Sequence, residues 1–464
     1  MAPARCQTRV LSVLSLAAFM ASLDLFIVNV AFRDIGRDFH GASLSNLSWV
    51  LNGYAIVFAA LLVPMGRLAD RYGRKRAFLL GVAVFTAASA ACALSTSLWM
   101  LVMFRLLQAA GAAILTPTSL GLLLPVFPSH RRAGAVRIWS ATAAVAAAVG
   151  PVFGGLLVSR SWRWIFLVNI PIGAIALVAA ARFVPDSRDE EPTQVPDLVG
   201  AGLLALAIAL LALGLVKVND WSGGRTLLVL ALAVLGLIGF WRRSLRHNSP
   251  VVEPTLLRVR TFVWSNLTAI GFSVAFAANL LIAILWMQNI WHYSPLETGL
   301  AIAPGPLMVP MFAVVAGKLA SRIPIGGVAA LGCLLFSAGA LFVLLRIGPA
   351  PDYIGEMLPG FIIGGVGVGL ALPTILAAAT ANLPPQRFAT GSAVVNMSRQ
   401  IGSVLGISVL IALVGMPLSY PAAHSAFTHA WLAIALFAAI GAVTAIGITP
   451  RRGTTDLSPA AVYS

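Results

Sequence analysis

The sequence predicts an all-α membrane protein in which fourteen helices cross the bilayer. Hydrophobic residues make up 59% of the 464 residues and charged residues only 10%, whereas soluble domains carry about 25% charged residues. Apolar segments of about 20 residues, the length needed to cross a bilayer, recur along the whole chain. The formal net charge of +16 comes from cations between these segments rather than on one binding face, which argues against a nucleic-acid partner.

The apolar segments fall into three sets, numbered here as helix 1 to helix 14. The first set contains six segments: 10–31, 47–65, 77–94, 98–124, 136–158 and 164–184. The second set contains two segments: 198–216 and 226–241, the latter being short. The third set contains six segments: 262–290, 295–317, 325–345, 353–379, 389–414 and 427–448. The sets predict a first six-helix bundle in residues 1–184, a linker with two extra helices in 185–260, and a second six-helix bundle with a short cytoplasmic tail in 261–464.

The distribution of Lys and Arg predicts the orientation of these helices. With a cytoplasmic N-terminus, 22 of the 31 cations lie on the cytoplasmic side and 7 on the other, and the remaining two, Arg105 and Arg399, lie within helices. Cytoplasmic loops carry an excess of cations in membrane proteins. Both termini are therefore predicted to be cytoplasmic. The high Ala, Arg and Gly content is typical of a GC-rich bacterial source, which places the protein in a bacterial inner membrane.

Residues 66–76, GRLADRYGRKR, contain five cations, one acid and two glycines between helices 2 and 3. Charges at this density predict a loop at the water boundary, where the glycines permit a tight reversal. Asp70 can pair with Arg74 or face a neighbouring helix N-terminus. The spacing resembles the loop between helices 2 and 3 of the major facilitator superfamily of secondary transporters. That resemblance implies a role in locking one gate for five residues: Gly66, Asp70, Arg71, Gly73 and Arg74.

Two ionisable residues are predicted deep in the membrane at matching depth. Asp24 in helix 1 and Arg105 in helix 4 each lie about 10 Å from the non-cytoplasmic ends of their helices, at 1.5 Å per residue. Buried charges are costly in a bilayer, so we expect the two side chains to pair. One interpretation is a purely structural salt bridge. The other is a proton site, in which the proton affinity of the Asp24 carboxylate changes as water and substrate enter.

Two stripes of polar and small residues lie on helices 4 and 13 at helical spacing. The first consists of Arg105, Gln108, Ala112, Thr116 and Ser119, and the second consists of Asn396, Arg399 and Ser403. Such stripes either face a cavity or hold helices together through hydrogen bonds. Arg399 has no acid at its depth in the last six helices, so it could face water, a cluster of carbonyls or an anionic part of the cargo.

Helix 5 carries the motif GPVFGG, which contributes Gly150, Pro151, Gly154 and Gly155. Small residues let helices approach closely, and Pro151 removes a backbone donor, which predicts a kink. The motif resembles the helix 5 signature of the antiporter branches of the superfamily, and this resemblance implies export rather than uptake. We therefore include the four residues in the predicted conformational machinery.

Further segments resemble the fourteen-helix drug:proton antiporter family of this superfamily. They are residues 23–31, residues 162–173, Gln288 with residues 293–295, and Gly391 with residues 399–402. The resemblance covers essentially the whole chain and implies the major facilitator fold, with two six-helix bundles plus two inserted helices. The chain departs from the family pattern at Phe32 and Arg33, which replace a usual Leu-Pro at the end of helix 1, and the second half has no deep acid.

A substrate cavity with mostly apolar walls and few polar groups is expected between the bundles. The predicted lining residues are Asn29, Asn52, Tyr54, Gln108, Thr116, Trp286, Gln288, Asn396 and Arg399. Sparse acids in this set lean against a dedicated carrier of multivalent cations. The nature of the cargo is not otherwise indicated by the sequence.

The predicted function is proton-coupled export of apolar or amphipathic small molecules by alternating access. Asp24 would carry the proton, and the fixed cation of Arg105 would return Asp24 to its ionised form after each cycle. The expected partners are the small-molecule substrate, protons and the lipid bilayer, and the expected state is a monomer. No phosphate-binding loop and no enzyme constellation is present in the sequence, so the proton gradient is the expected energy source, with no cofactor and no metal. The alternatives are an uptake symporter or facilitator of the same fold and a non-transporting receptor.

Overall fold

The computed structural model describes residues 4–39, 42–186, 194–384, 387–415 and 420–449. Fourteen of its helices are long and apolar enough to cross a membrane, as predicted. Helices 1–6 span Ala4–Val30, Trp49–Tyr72, Arg74–Ala93, Leu98–Val126, Ser129–Val158 and Asn169–Phe183. Helices 7 and 8 span Leu198–Val216 and Gly223–Ser244. Helices 9–14 span Arg260–Asn289, Pro295–Leu319, Ile325–Arg346, Leu358–Ala381, Phe388–Val414 and Tyr420–Ile446.

Short helical pieces extend or join several of the spans. Helix 10 is interrupted at Ala303, which separates Pro295–Ile302 from Pro304–Leu319, and a π-helical turn at Tyr353–Met357 precedes helix 12. The other short pieces are Phe32–Asp38, Leu44–Leu47, Trp164–Leu167 and the 3₁₀ turn Pro254–Arg258. The described residues contain no strand, so the predicted all-α fold is confirmed.

The predicted loop between helices 2 and 3 is wrong in its extent. Helix 2 continues as far as Tyr72 and helix 3 begins at Arg74, so Gly73 alone makes the reversal, with φ of 111°. Gly66 lies inside helix 2, where a Cβ would approach Pro117 Cβ of helix 4 to 3.3 Å. The prediction failed because hydropathy marks the end of the apolar layer, whereas charged residues continue a helix readily once it enters water.

Several other helix ends also differ from the prediction. Helix 8 is three residues longer at each end than the predicted 226–241, because Arg242 and Arg243 continue its last turn. Long cationic side chains at a helix end can keep their charge at the interface while the backbone stays helical. Helix 5 begins at Ser129 rather than at residue 136, and helix 14 begins at Tyr420 rather than at residue 427. The predicted cytoplasmic tail at residues 450–464 and the linker residues 187–193 lie outside the described residues.

Helices 1–6 pack against one another, as do helices 9–14, while helices 7 and 8 pair with each other. Close glycine contacts recur at equivalent places in the two groups. Helices 3 and 4 meet where a Cβ on Gly111 would lie 2.6 Å from Phe85 N. Helices 11 and 12 meet where a Cβ on Gly367 would lie 2.6 Å from Phe336 N. This echo between the halves is typical of transporters built from structural repeats. The residue boundaries of the three predicted units stay a prediction.

Consecutive helices alternate in direction, so the bundle has two ends. We call the end with the helix 2–3 reversal the Gly73 end and the end with the helix 9–10 connection the Gln288 end. Large aliphatic side chains cover much of the outer surface between them, and helix 8 is the least buried of the fourteen spans. Exposed apolar surface on this scale fits a lipid environment.

Candidate functional site

Asp24 and Arg105 are in contact, as their matching depth predicts. Arg105 Nη1 donates to Asp24 Oδ2 at 2.5 Å, and the exposed fractions of the two side chains are 1% and 0% for Arg105 and Asp24. Helix 1 supplies the acid and helix 4 supplies the cation. Because each charge is fully removed from water, the pair is stable only if its remaining donors and acceptors are also satisfied.

Neutral side chains from three helices complete the shell around the pair. Gln108 accepts from Arg105 Nη1 at 2.6 Å and donates through Nε2 to Asp24 Oδ1 at 2.8 Å and to Ser89 Oγ at 2.7 Å. Asn169 Nδ2 also lies 3.3 Å from Asp24 Oδ1 and from Ser89 Oγ. The Asp24 carboxylate therefore accepts from three side chains. Both carboxylate oxygens thus have side-chain donors, which offsets part of the hydration that burial removes.

Helix 2 forms the wall of the site on the side of the second helix group. Arg105 Nε donates to Val50 O at 3.3 Å, and the guanidinium carbon lies 4.2 Å from the ring centroid of Tyr54. Both the carbonyl and the ring face favour a cation without neutralising it. These two contacts would remain available to Arg105 after protonation of Asp24. Two residues beyond Val50, Asn52 donates through Nδ2 to Ser408 Oγ of helix 13 at 3.1 Å.

Hydrogen bonds join the two helix groups near the Gln288 end. In addition to the Asn52–Ser408 bond, Gln288 Nε2 donates to Val30 O at 3.1 Å, and Arg33 donates to Gln288 O. A cavity of about 290 Å³ lies beside this seam, lined by Arg33, Asp34, Arg37, Gln288, His292, Tyr293, Ser294 and Pro295. Burial raises the pKa of the Asp34 carboxyl above its ordinary value, although Arg37 and Arg33 oppose that shift. The seam is therefore polar and partly dehydrated.

The helix 5 motif packs against both helix groups at the same end. A Cβ on Gly154 would lie 3.1 Å from Ile27 O of helix 1. A Cβ on Gly155 would lie 2.3 Å from Pro295 O, and one on Gly299 would lie 2.2 Å from Pro151 O. Helices 5 and 10 thus touch backbone to backbone. Distances of this kind exclude every side chain larger than hydrogen, so the motif supplies close packing in the seam.

The residues of the predicted gate motif lie at the Gly73 end. Arg74 Nε donates to Asp70 Oδ1 at 2.6 Å, and the Arg74 side chain crosses over Gly121 of helix 4, where a Cβ would lie 3.1 Å from Arg74 Cδ. Asp70 therefore pairs with Arg74, one of the two arrangements predicted. The Arg71 guanidinium lies over the ring of Tyr72 at 5.7 Å and borders a separate cavity of about 550 Å³.

Glu253, in the segment between helices 8 and 9, connects both helix groups at the Gly73 end. Arg67 of helix 2 donates to Glu253 Oε1 at 2.8 Å, and Arg387 Nε, just before helix 13, lies 3.5 Å from Glu253 Oε2. The sequence analysis did not identify Glu253, because an acid in a basic linker has no distinguishing pattern. At this end the contact between the groups is mediated by a linker side chain, whereas at the Gln288 end the helices touch directly.

Replacing Asp70 by Asn is expected to lower the free energy of unfolding by at most about 1 kcal/mol, because the pair is partly exposed. A double-mutant cycle with Arg74→Gln, read by denaturant titration in detergent, should give a coupling energy of about 0.5–1 kcal/mol. A coupling energy near zero would show that the Asp70–Arg74 contact contributes nothing to this conformation. The Arg346→Gln variant, which removes an exposed cation, serves as the matched control.

The predicted cavity residues are mostly buried in this conformation. Asn29, Asn52, Tyr54, Gln108, Trp286 and Gln288 are each less than 9% exposed, and Thr116, Asn396 and Arg399 are partly exposed. Trp286 packs against Phe427 and Trp431, with centroid distances of 5.1 and 5.5 Å. Asn29 donates to Leu25 O in its own helix. Their role as substrate-cavity residues stays a prediction.

Ser89 and Asn169 are the main side chains of the buried site that the sequence analysis missed. Ser89 lies in an alanine-rich stretch of helix 3 and looks like a small packing residue. Asn169 is uncharged and lies within the apolar segment 164–184, so the cost of burying a charge does not single it out. In the sequence, Asn169 is distinguished only by its place in residues 162–173, which resemble the drug:proton antiporter family.

The chain matches known proteins over nearly its whole length. The family model described as Major Facilitator Superfamily matches residues 14–407 and 268–458. The tetracenomycin C resistance and export protein of Streptomyces glaucescens is 33% identical over 399 residues, covering 85% of this chain and 74% of that protein. Multidrug resistance protein Stp of Mycobacterium tuberculosis is 34% identical over 414 residues, covering 88% of this chain and 75% of that protein.

The fold is also similar to solved transporter structures. A crystal structure of a POT family transporter, in complex with a thioalcohol-conjugated peptide, superposes with a TM-score of 0.69 and 17% identity, covering 93% of this chain and 94% of that one. The sequence match, the fourteen spans and the buried Asp24–Arg105 site agree with one another. The chain therefore belongs to the Major Facilitator Superfamily, and within it to a family of drug efflux transporters.

Proposed function

We propose that this protein exports apolar or amphipathic small molecules across a bacterial inner membrane in exchange for protons, by alternating access. Relatives named as resistance and export proteins support the export of such compounds. The positive-inside rule supports a cytoplasmic Gly73 end. One observation carries the proton-coupled part of the proposal, namely the fully buried Asp24–Arg105 pair.

Asp24 suits the proton-carrying role because of its position and partners. It is the one acid in the described spanning helices that lies several residues from both helix ends. In the structure its carboxylate accepts from Arg105, Gln108 and Asn169. A proton on Asp24 would remove the charge that offsets Arg105, and Arg105 would keep only neutral acceptors. Each protonation change therefore alters the balance of charge in a site next to helix 2.

Helix 2 connects this proton site to the seam between the helix groups. Val50 accepts from Arg105, and Asn52, two residues further along, bonds to Ser408 of helix 13. We infer that the observed conformation is the one in which the Gln288 end is closed. Cargo then enters from the cytoplasmic side, and protonation of Asp24 from the opposite side follows reorientation. The membrane potential adds about 2.3 kcal/mol per charge per 100 mV to each inward proton.

Transport by purified protein in inside-out vesicles tests this function. With an acidic lumen, a fluorescent amphipathic dye should accumulate in the lumen while an enclosed pH indicator reports alkalinisation. A protonophore should abolish both signals together. Dye movement that equilibrates without regard to the pH gradient would instead identify a facilitator, and dye movement out of the lumen together with protons would identify an uptake symporter.

A further inference from the structure

We propose that the cargo carries a negatively charged group, such as a carboxylate or sulfonate, which pairs with Arg399 of helix 13. This inference rests on the proposed transport function and names the chemical class of its substrate. Arg105 and Arg399 both lie within spanning helices, away from the helix ends: Arg105 is paired with a carboxylate, and Arg399 has no carboxylate partner among the residues that the structure describes.

Arg399 lies near the middle of its helix. It is eleven residues from Phe388 and fifteen from Val414, or roughly 16 Å and 22 Å from the two ends at 1.5 Å per residue. At this depth the side chain cannot reach either interface while its helix crosses the membrane. Ionisable residues at such depth face a bundle interior or an aqueous cavity and pair with another group.

The contacts of Arg399 leave most of its hydrogen-bonding capacity unused. Nη1 donates to Asn396 Oδ1 at 3.2 Å, and Nε is enclosed without a partner. Within the part of the chain that the structure describes, no acidic oxygen forms an ion pair with this guanidinium. The residue as a whole is only partly exposed, and its Nε is fully buried. Arg105, by contrast, has hydrogen bonds to Asp24, Gln108 and Val50.

The helices around Arg399 offer no carboxylate at its depth. Helix 13 contacts helices 2, 7, 9, 12 and 14. Within their described bounds helices 7, 9, 12 and 14 contain no Asp or Glu, and the one acid of helix 2, Asp70, is bonded to Arg74 at the Gly73 end. The other deep acid, Asp24, is already held by Arg105. Among the described residues, the Arg399 charge is therefore not offset by a carboxylate even when Asp24 is ionised.

An anionic cargo group meets the requirements of this site. A carboxylate or sulfonate accepts from two guanidinium N–H groups at once, a geometry that a neutral or cationic ligand does not match. The apolar remainder of the cargo would contact the aliphatic walls. Exchange of one monoanion for one proton would move two charges in the favourable direction of the membrane potential.

Two dyes with the same ring system test the inference by equilibrium fluorescence binding to the full-length protein in detergent. Anilinonaphthalene sulfonate is anionic, and N-phenylnaphthylamine lacks the sulfonate. Wild-type protein should bind both dyes. In Arg399→Gln the affinity for the sulfonate should fall at least about tenfold, the usual scale for a charge-assisted hydrogen bond, while the affinity for the neutral dye stays within about twofold. Arg399→Lys should retain an intermediate affinity, because it keeps the charge and loses the planar pair of donors.

Arg346→Gln is the matched control, because it removes a cation from the exposed end of helix 11. An equal loss of both dyes in Arg399→Gln, or no loss of either, would overturn the proposal, as would a wild-type protein that does not bind the sulfonate. If the neutral dye is still transported in response to a pH gradient, these outcomes would contradict only the anionic-cargo proposal and would be compatible with proton-coupled export. Failure of pH-driven transport with intact charge-selective binding would instead count against the coupling alone.

Discussion

Replacing Asp24 by Asn is expected to abolish pH-driven accumulation of cargo while leaving downhill movement of cargo intact. Asn keeps the size of the side chain and can hydrogen-bond to Gln108, but it cannot bind and release a proton. Without that step the transporter cycles in one charge state, so the pH gradient no longer contributes to transport. Accumulation against a gradient should fall at least about tenfold, which corresponds to about 1.4 kcal/mol of lost coupling.

Inside-out vesicles provide the measurement, with dye accumulation recorded at equal and at unequal pH across the membrane. Asp220→Asn serves as the matched control, because Asp220 is an acid with a half-exposed side chain near the end of helix 7. Coupled transport in Asp24→Asn at the wild-type level would remove Asp24 from the mechanism.

The buried pair also has a stability consequence that separates folding from transport. Arg105→Gln leaves the Asp24 carboxylate without its cation, and breaking a buried pair from one side costs about 3–5 kcal/mol. The double variant Asp24→Asn with Arg105→Gln leaves no uncompensated charge, so it should unfold at higher denaturant concentration than Arg105→Gln alone. Both variants should lack proton coupling. If the double variant recovered coupled transport, the pair would have only a structural role.

Replacing Gly155 by Leu is expected to prevent closure of the Gln288 end. The hydrogen on Gly155 Cα faces the backbone of helix 10, where a Cβ would lie 2.3 Å from Pro295 O and 2.7 Å from Leu296 Cα. Backbone atoms cannot move aside as a flexible side chain can, so helices 5 and 10 must separate by about 2 Å or more. The cost exceeds the roughly 1–3 kcal/mol typical of overpacking inside a core, and the closed conformation should lose its population.

Spin labels at Ser159 and His292, in a background without the native cysteines, provide a direct distance measurement across this seam. Gly155→Leu should shift the distance distribution to longer values and reduce efflux to background. Gly134→Leu is the matched control, because Gly134 is in the same helix and a Cβ there would meet nothing within 4 Å. An unchanged distance distribution in Gly155→Leu would show that the helix 5–10 contact does not keep the Gln288 end closed.

The sequence was sufficient to predict the number of spanning helices and the pairing of the two deep charges. The number of helices follows from hydropathy, and the pairing follows from the high cost of an unpaired charge in a bilayer. Both quantities depend on residue type and position along the chain, and neither requires knowledge of how the helices pack. Asp24 and Arg105 could be matched because each helix rises 1.5 Å per residue, so depth can be counted from the chain.

Helix ends and the neighbours of the buried pair could not be predicted in the same way. The boundary between helix and loop at Gly73 depends on helix formation in water, to which hydropathy is insensitive. Asn169 reaches Asp24, and Ser89 reaches Asn169 and Gln108, because of the packing of helices 1, 3, 4 and 6, which no spacing in the sequence encodes. Glu253 likewise becomes informative only when its two arginine partners are brought together from distant segments.

Proton release on cargo binding tests the central claim most directly. Purified protein in weakly buffered detergent solution is mixed with the neutral dye, and a pH indicator records the protons released per dye bound. If Asp24 exchanges its proton for cargo, the wild-type protein should release up to about one proton per dye bound, and Asp24→Asn should release none. Equal proton release by both proteins would contradict the account.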